Sequence, residues 1–407
     1  MQRAPSKQEI LSSKDFVDLR DDIFVIHDPG DHITRFDLEG RWFFASREDK
    51  SYRRCMDGRV REQSRVSRKG TGSRNLRWLT ESEVDDLTQS IAHHATESQS
   101  RIGKGKGMLK EILPEDLGDI FDRISSWDSA RFKEFGADFA RIYGSIPVLP
   151  SDQYFSLYLQ LVKGCHYNLC TFCTLYRDQP FEVRSADDWV EHLEDVKRFF
   201  GRGISVRRNI FIGDANGLAI DQSELISRLR AMREVFPIST DRGGLSEITA
   251  FVDTFSGTER GVEEYKELKE FGLKRLYVGV ETGLDSLREL IKKPGSHDHV
   301  LDRITRIKAS GLNVGIMIMT GLGGKKLSTV HVVETLRLLN DSPLDRKDLV
   351  FLSPLSISSN SEYAKLMKQN DLEPLDADGI ENEDRLFRTG IPPEPKAATY
   401  DIEGFVY

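Results

Sequence analysis

Apolar and polar positions change their rhythm near residue 150. Beyond it, short β-branched runs alternate with amphipathic helical stretches, the pattern of repeated βα units and a parallel sheet. Six candidate strands stand out, at 154–162, 209–212, 247–252, 275–280, 314–319 and 348–352. Right-handed crossovers curl such a sheet toward a barrel. Six units fall short of the eight that close one, so the expected fold is α/β, a partial, TIM-like (β/α)6 barrel over 151–370. An α+β accessory domain over 1–150 precedes it and a C-terminal extension over 371–407 follows.

Within the first 150 residues, 33–44 alternates apolar and polar positions on both sides of Glu39-Gly40 and reads as a β-hairpin. Thr80-Glu81-Ser82-Glu83 opens a helix in capping-box fashion, and 109–127 holds a second helical pattern, its start blurred by Pro114. Between them Gly103-Lys104-Gly105-Lys106-Gly107 reads as a flexible loop.

The 407 residues carry 58 Lys+Arg against 66 Asp+Glu, a formal charge of -8, which disfavours a general polyanion binder. One segment departs from that balance. Between 53 and 77 stand nine basic residues, including Arg59, Arg61 and Arg77, interrupted only by Asp57 and Glu62. Such a run is usually a solvated loop or hairpin, yet it could also receive an anionic small molecule, nucleic acid or an acidic electron donor. No aromatic residues interleave with it as a nucleic-acid stacking platform requires. The N-terminus has no apolar signal core and no apolar run approaches the ~20 residues that span a bilayer, so a cytoplasmic protein with no membrane partner is expected.

Three of the four cysteines, Cys165, Cys170 and Cys173, crowd into one loop directly after the first candidate strand. A disulfide framework does not need that crowding; a metal centre does. Soft thiolates select zinc or iron–sulfur. Structural zinc wants four ligands, and no second cysteine pair exists; His166 directly follows Cys165, where adjacent side chains diverge. A 4Fe-4S cluster on three thiolates, with one iron open, fits better. Cys55 stands apart and reads as a spare, buried thiol.

The cysteine loop after the first strand of a six-unit partial barrel resembles the radical S-adenosylmethionine (SAM) superfamily over roughly residues 150–370. Four residues separate the first two cysteines, where the commonest motif has three; the last pair keeps its two-residue gap with Phe172 before Cys173. The resemblance implies that Cys165, Cys170 and Cys173 hold a 4Fe-4S cluster. It further implies that Gly213-Asp214, after the second strand, receive the SAM ammonium. Glu281 and Thr282, after the fourth, would meet the ribose, and Thr320, opening the glycine cluster after the fifth, would flank the adenine. Asp253, Arg177 and His331 are weaker candidates, equally suited to structural roles.

The chemistry implied is reductive cleavage of SAM to a 5′-deoxyadenosyl radical that abstracts hydrogen from an unidentified small-molecule substrate, with electrons from a flavodoxin- or ferredoxin-type donor. The rival reading is a non-catalytic iron–sulfur or zinc-binding regulatory protein using the same thiolates.

Overall fold

The computed structural model describes residues 16–407 except 21–22, 29–31, 66–73, 104–107, 111–113, 240–243, 256–259, 358–360 and 401–406. The first strands, β1 (Phe16–Arg20), β2 (Ile23–Asp28), β3 (His32–Phe36), β4 (Trp42–Arg47), β5 (Lys50–Arg54), β6 (Val60–Arg65) and β7 (Arg74–Trp78), form an antiparallel meander. The expected hairpin is there, β3 pairing with β4 around Glu39-Gly40. After α1 (Glu81–Gly103), β8 (Met108–Lys110) returns parallel to β1. Two more helices follow, α2 (Pro114–Ser125) and α3 (Ser129–Tyr143).

Alternation along the strands sends Phe24, Ile26, Phe36, Trp42 and Val60 to one face, where Ile91, Phe121 and Phe132 of the helices cover them. The N-terminus of α1 is capped as expected: Glu83 accepts from the Thr80 amide at 2.8 Å, and the Glu83 amide donates to Thr80 Oγ1 at 3.4 Å. The Gly103–Gly107 loop falls almost wholly outside the described residues, as do Arg68 and Lys69 of the basic run.

The described part of that run is sheet rather than loose loop. Glu62 on β6 pairs with Lys50 on β5 (3.3 Å) and Arg77 on β7 (3.1 Å), Asp57 pairs with Arg59, and Arg59 lies over the Trp78 ring. Neighbours of opposite charge offset part of the run, at Arg59 and Arg77, and leave it cationic on balance.

The second sheet is parallel and open. It contains β9 (Leu157–Gln160), β12 (Ile210–Gly213), β13 (Ile248–Val252), β14 (Leu273–Glu281), β15 (Asn313–Thr320), β16 (Leu349–Pro354) and β17 (Lys396–Thr399), paired in that order, with β9 and β17 at its edges. The helices that follow the strands include α4 (Ala186–Phe200), α5 (Gln222–Val235), α6 (Val262–Glu270), α7 (Asp285–Leu290), α8 (His297–Ala309), α9 (Gly324–Asp341), α10 (Glu362–Gln369) and α11 (Ala377–Gly390). The partial barrel is thus present, with six expected strands joined by a seventh. Residues Lys396–Thr399 have little β propensity and pair only with β16.

The first candidate strand is also shorter than expected. It ends at Gln160, and the following β10 (Val162–Lys163) pairs antiparallel with β11 (Glu182–Val183). That two-stranded ribbon pinches the base of the loop 164–181.

Across the barrel interior runs a layer of rings. Tyr158 stacks on Phe211 (6.0 Å), Phe211 meets Phe251 (5.1 Å) and Tyr277 (5.9 Å), and Tyr277 meets Phe351 (6.1 Å). Gly315 on β15 leaves the room that the Tyr277 ring fills. This aromatic floor separates the carboxyl ends of the strands from their amino ends.

Candidate cluster site

The loop that carries the cysteines is held by its own backbone carbonyls. Arg177 donates Nε to Cys173 O at 3.0 Å, Nη1 to Asn168 O at 2.6 Å and Nη2 to Cys170 O at 2.6 Å. One planar guanidinium therefore gathers the segment 168–173, which carries the second and third cysteines. The Asn168 side chain donates to Tyr176 O at 2.7 Å, and the Asn168 amide approaches Cys165 Sγ at 3.3 Å. Two further bonds dock the loop on the sheet's far connection: the Thr171 amide to Ile291 O (3.0 Å) and the Tyr167 hydroxyl to Lys292 O (2.7 Å).

All three cysteines line a cavity of about 210 Å³ at the carboxyl ends of the strands. Its walls are apolar at Phe172, Leu175, Phe251, Met317 and Met319, and polar groups enter at His166, Asn216, Asp253, Glu281 and Lys293. Burial pushes the Cys170 thiol up to about 11 and raises that of Cys173; metal ligation must displace those protons. Among the described residues no group of three His, Cys, Asp or Glu side chains could hold a single metal ion. The donor set, three thiols on one loop opening onto a largely apolar cavity, suits a multi-iron cluster with one iron free of protein ligands.

The residues expected to contact SAM divide into two groups. Glu281 lines the cavity, at a register shift near the end of β14 and with φ 63°, and accepts from buried Lys293 Nζ at 3.0 Å. Gly213, Asp214, Thr282 and Thr320 do not line it. Asp214 is 1% exposed and accepts from the Tyr158 hydroxyl, from Gln160 Nε2 at 3.2 Å and from the Gly164 amide at 2.8 Å. Burial, the largest influence, raises its carboxyl, and these donors pull the other way. Because Gly164 immediately precedes Cys165, Asp214 ties the start of the cysteine loop to β9 and β12. Gly213 has to be glycine, since the Tyr158 phenol occupies the space of a Cβ.

Thr282 Oγ1 lies 2.8 Å from His331 Nδ1 and accepts from the Leu284 amide at 3.0 Å, so it builds the turn after β14. The Thr320 hydroxyl is buried without a hydrogen-bond partner. His331 stacks edgewise on Phe387 behind the turn. Asp253, by contrast, faces the cavity: Asn216 Nδ2 donates to it at 2.7 Å and His166 Nε2 lies 3.3 Å away.

Sequence reasoning passes over Lys293, Gln160 and Tyr158, which carry no motif. It names Arg177 only for its nearness to the cysteines, because bonds to backbone carbonyls leave no trace in residue identity.

Residues 159–339 match the family model described as "Radical SAM superfamily". The matched segment is a radical SAM domain. It covers β9 to α9, cysteine loop included. Members of this superfamily work with a 4Fe-4S cluster and SAM. The chain is 28% identical over 175 residues to the heme chaperone HemW of Bacillus subtilis (strain 168), covering 42% of this chain and 43% of that one. It is 23% identical over 217 residues to the 4'-phospho-dehydrooxetanocin synthase of Priestia megaterium, covering 48% and 28%. The matches thus span less than half the length of either curated relative. Among solved structures, coproporphyrinogen III oxidase (HemN) from Escherichia coli superposes with a TM-score of 0.43 at 17% identity, over 62% of this chain and 55% of that one. Among the described residues no helix is long and apolar enough to cross a membrane.

Proposed function

We propose that the protein is a radical SAM enzyme that reductively cleaves SAM at a 4Fe-4S cluster held by Cys165, Cys170 and Cys173. The observation that carries the reading is the convergence of these thiols on one braced loop over a cavity at the carboxyl ends of an open parallel sheet, where such sheets bind ligands. A cluster held by these three thiolates would supply the one electron that cleaves SAM into methionine and a 5′-deoxyadenosyl radical, which would take hydrogen from the substrate.

The chain's own residues hold and shield. Arg177 fixes the loop's carbonyls, and Asp214 anchors its first residue through Gly164. Glu281, kept in place by Lys293, is the SAM contact among the residues singled out from the sequence; Asp214, Thr282 and Thr320 act from behind the cavity wall as positioning residues. Phe251, Met317 and Met319 keep water from the reacting centre, as a radical requires. Asp253 and His166 stand on the wall where a small substrate would sit. Electrons come from a flavodoxin- or ferredoxin-type donor.

Anaerobic reconstitution tests the proposal. The protein should turn brown, carry about four irons per chain and release 5′-deoxyadenosine from SAM under dithionite. A colourless protein with one bound zinc, or a brown protein that releases none, would return the reading to a regulatory metal protein.

A further inference from the structure

A second cavity, of about 170 Å³, lies at the other end of the barrel. Tyr154 and Phe155 of its wall precede β9, and Val206 and Arg207 precede β12, so it sits at the amino ends of the strands. Trp42, Phe43 and Arg54 bring the N-terminal sheet to its opposite wall. A four-residue strand is about 13 Å long, and the aromatic floor fills the interior between the two cavities.

Its lining is unlike a simple packing seam. Five arginines face one carboxylate, Asp37, which already accepts from Arg41 Nε at 2.7 Å. Arg41 spends its remaining nitrogens on Phe199 O and Phe200 O. Arg54 and Arg207 are different. Arg54 is 8% exposed, packed on the Phe132 ring at 3.6 Å, with a 3.3 Å hydrogen bond to Thr88 Oγ1. Arg207 is 4% exposed, lies over the Phe200 and Tyr407 rings at 4.8 Å each, and reaches Tyr154 O and Ser156 O only at 3.5 and 3.4 Å.

In both, Nε is buried without a partner, and so is the indole nitrogen of Trp42 in the same wall. A guanidinium stays charged, and burying it short of acceptors is costly; Arg54 has the Asp85 carboxylate as a charged neighbour yet keeps its Nε unbonded. Three unmatched donors around one cavity ask for an acceptor group. The walls around them are aromatic faces, and Phe155 stands 49% exposed, packed edgewise against Phe43. A cavity of about 150 Å³ takes one benzene ring.

We infer that this amino-end cavity is a second ligand site, built for a single-ring aromatic carboxylate or phosphate monoester. Its arginines take the anion and its aromatic walls take the ring. Because the ligand touches both the N-terminal sheet and the barrel, it clamps the two together and acts as an effector rather than as the molecule attacked at the cysteine end.

Calorimetric titration of the full chain with phenyl phosphate and phenylacetate, beside inorganic phosphate and benzyl alcohol, tests this. At least one aromatic anion should bind one per chain, about tenfold or more tighter than inorganic phosphate or benzyl alcohol, and raise the melting temperature. Arg207→Met and Arg54→Met should each weaken it about tenfold. Phe155→Ala, at an exposed position that folding tolerates, should weaken the aromatic anion and leave inorganic phosphate unchanged. Aromatic anions that bind no tighter than inorganic phosphate would overturn the inference. So would full affinity in folded Arg207→Met, or, should both arginine variants fail to fold, unaltered affinity in Phe155→Ala.

Discussion

The two ends of one parallel barrel hold cavities of similar size, about 210 and 170 Å³, and opposite character. At the carboxyl end the buried carboxylates are satisfied by the protein: Asp214 takes donors from Tyr158, Gln160 and Gly164, and Glu281 takes Lys293. What remains there for a ligand is sulfur, with His166 Nδ1 and the Thr320 hydroxyl also left without a hydrogen-bond partner nearby. At the amino end Arg54, Arg207 and Trp42 each keep a buried donor without a hydrogen-bond partner. The carboxyl end is therefore organised to hold a soft metal centre rigidly, and the amino end to receive a charge from outside.

The strongest test of that division removes one thiol. Cys170→Ala should abolish iron retention and 5′-deoxyadenosine formation, since two thiolates leave a cubic cluster with one corner fewer than it needs. Cys170 is half-buried on a loop held by other contacts, so the fold should survive, as circular dichroism would show. Binding of phenyl phosphate or phenylacetate at the amino end should be unchanged. Iron retained in Cys170→Ala sinks the ligand assignment; loss of aromatic-anion binding along with iron would merge the two ends into one site.

How much of each end is legible in the sequence follows from the range of the interactions. The cysteine loop is local, nine residues in one stretch, and thiols cluster for few other reasons. The central strands show as apolar runs because both faces of a parallel sheet are covered. Strand β17 does not, being Lys-Ala-Ala-Thr at an edge. The meander is half hidden because β5 and β6 read Lys-Ser-Tyr-Arg-Arg and Val-Arg-Glu-Gln-Ser-Arg, strands whose outer face is charged. Their charge reads as one continuous run, whereas in the fold it divides: Glu62 stands between Lys50 and Arg77, and Arg53 and Arg54 line the amino-end cavity. Asp214 stands in a recognisable turn, but its partners on β9 lie more than fifty residues away. The amino-end cavity joins residues from 35 to 407, and no spacing announces it.

A smaller effect probes the turn that backs Glu281. Burial holds the His331 ring down to about 4 from an ordinary 6.5. Between those values the unfolded chain binds a proton that the folded chain refuses. The contribution of this group is present above pH 6.5 and lost as pH falls toward 4, by about 3 kcal/mol in all. Glu383, 3.9 Å away, shifts in the opposite sense: burial raises its carboxyl, so its contribution is lost as pH rises. A difference measurement separates the two. The stability gap between the wild-type protein and His331→Asn, read from denaturant midpoints, should narrow by about 2 kcal/mol between pH 6.5 and 5. A gap that holds constant would mean that the folded ring takes up its proton as readily as the unfolded one, and that burial behind the Thr282 turn does not hold it neutral.

The finest test sets one arginine against another. Arg177 spends three nitrogens on three carbonyls and stands partly exposed, whereas Arg207 is buried with a donor to spare. Removing the first should loosen the loop without emptying it, because the ribbon of β10 and β11, Asp214 and the Thr171 amide still hold its base and middle. Hydrogen bonds from a half-solvated cation contribute modestly, so Arg177→Met should speed chelator-driven iron loss by about tenfold, near 1.4 kcal/mol. Arg177→Lys should recover little of it, since one ammonium cannot reach three separate carbonyls in the plane of a fork. Aromatic-anion affinity should not move in either variant, while Arg207→Met should weaken that affinity and leave iron loss at the wild-type rate. If the two arginines exchanged effects, or if both moved both readouts, the aromatic floor would be transmitting between the ends rather than parting them.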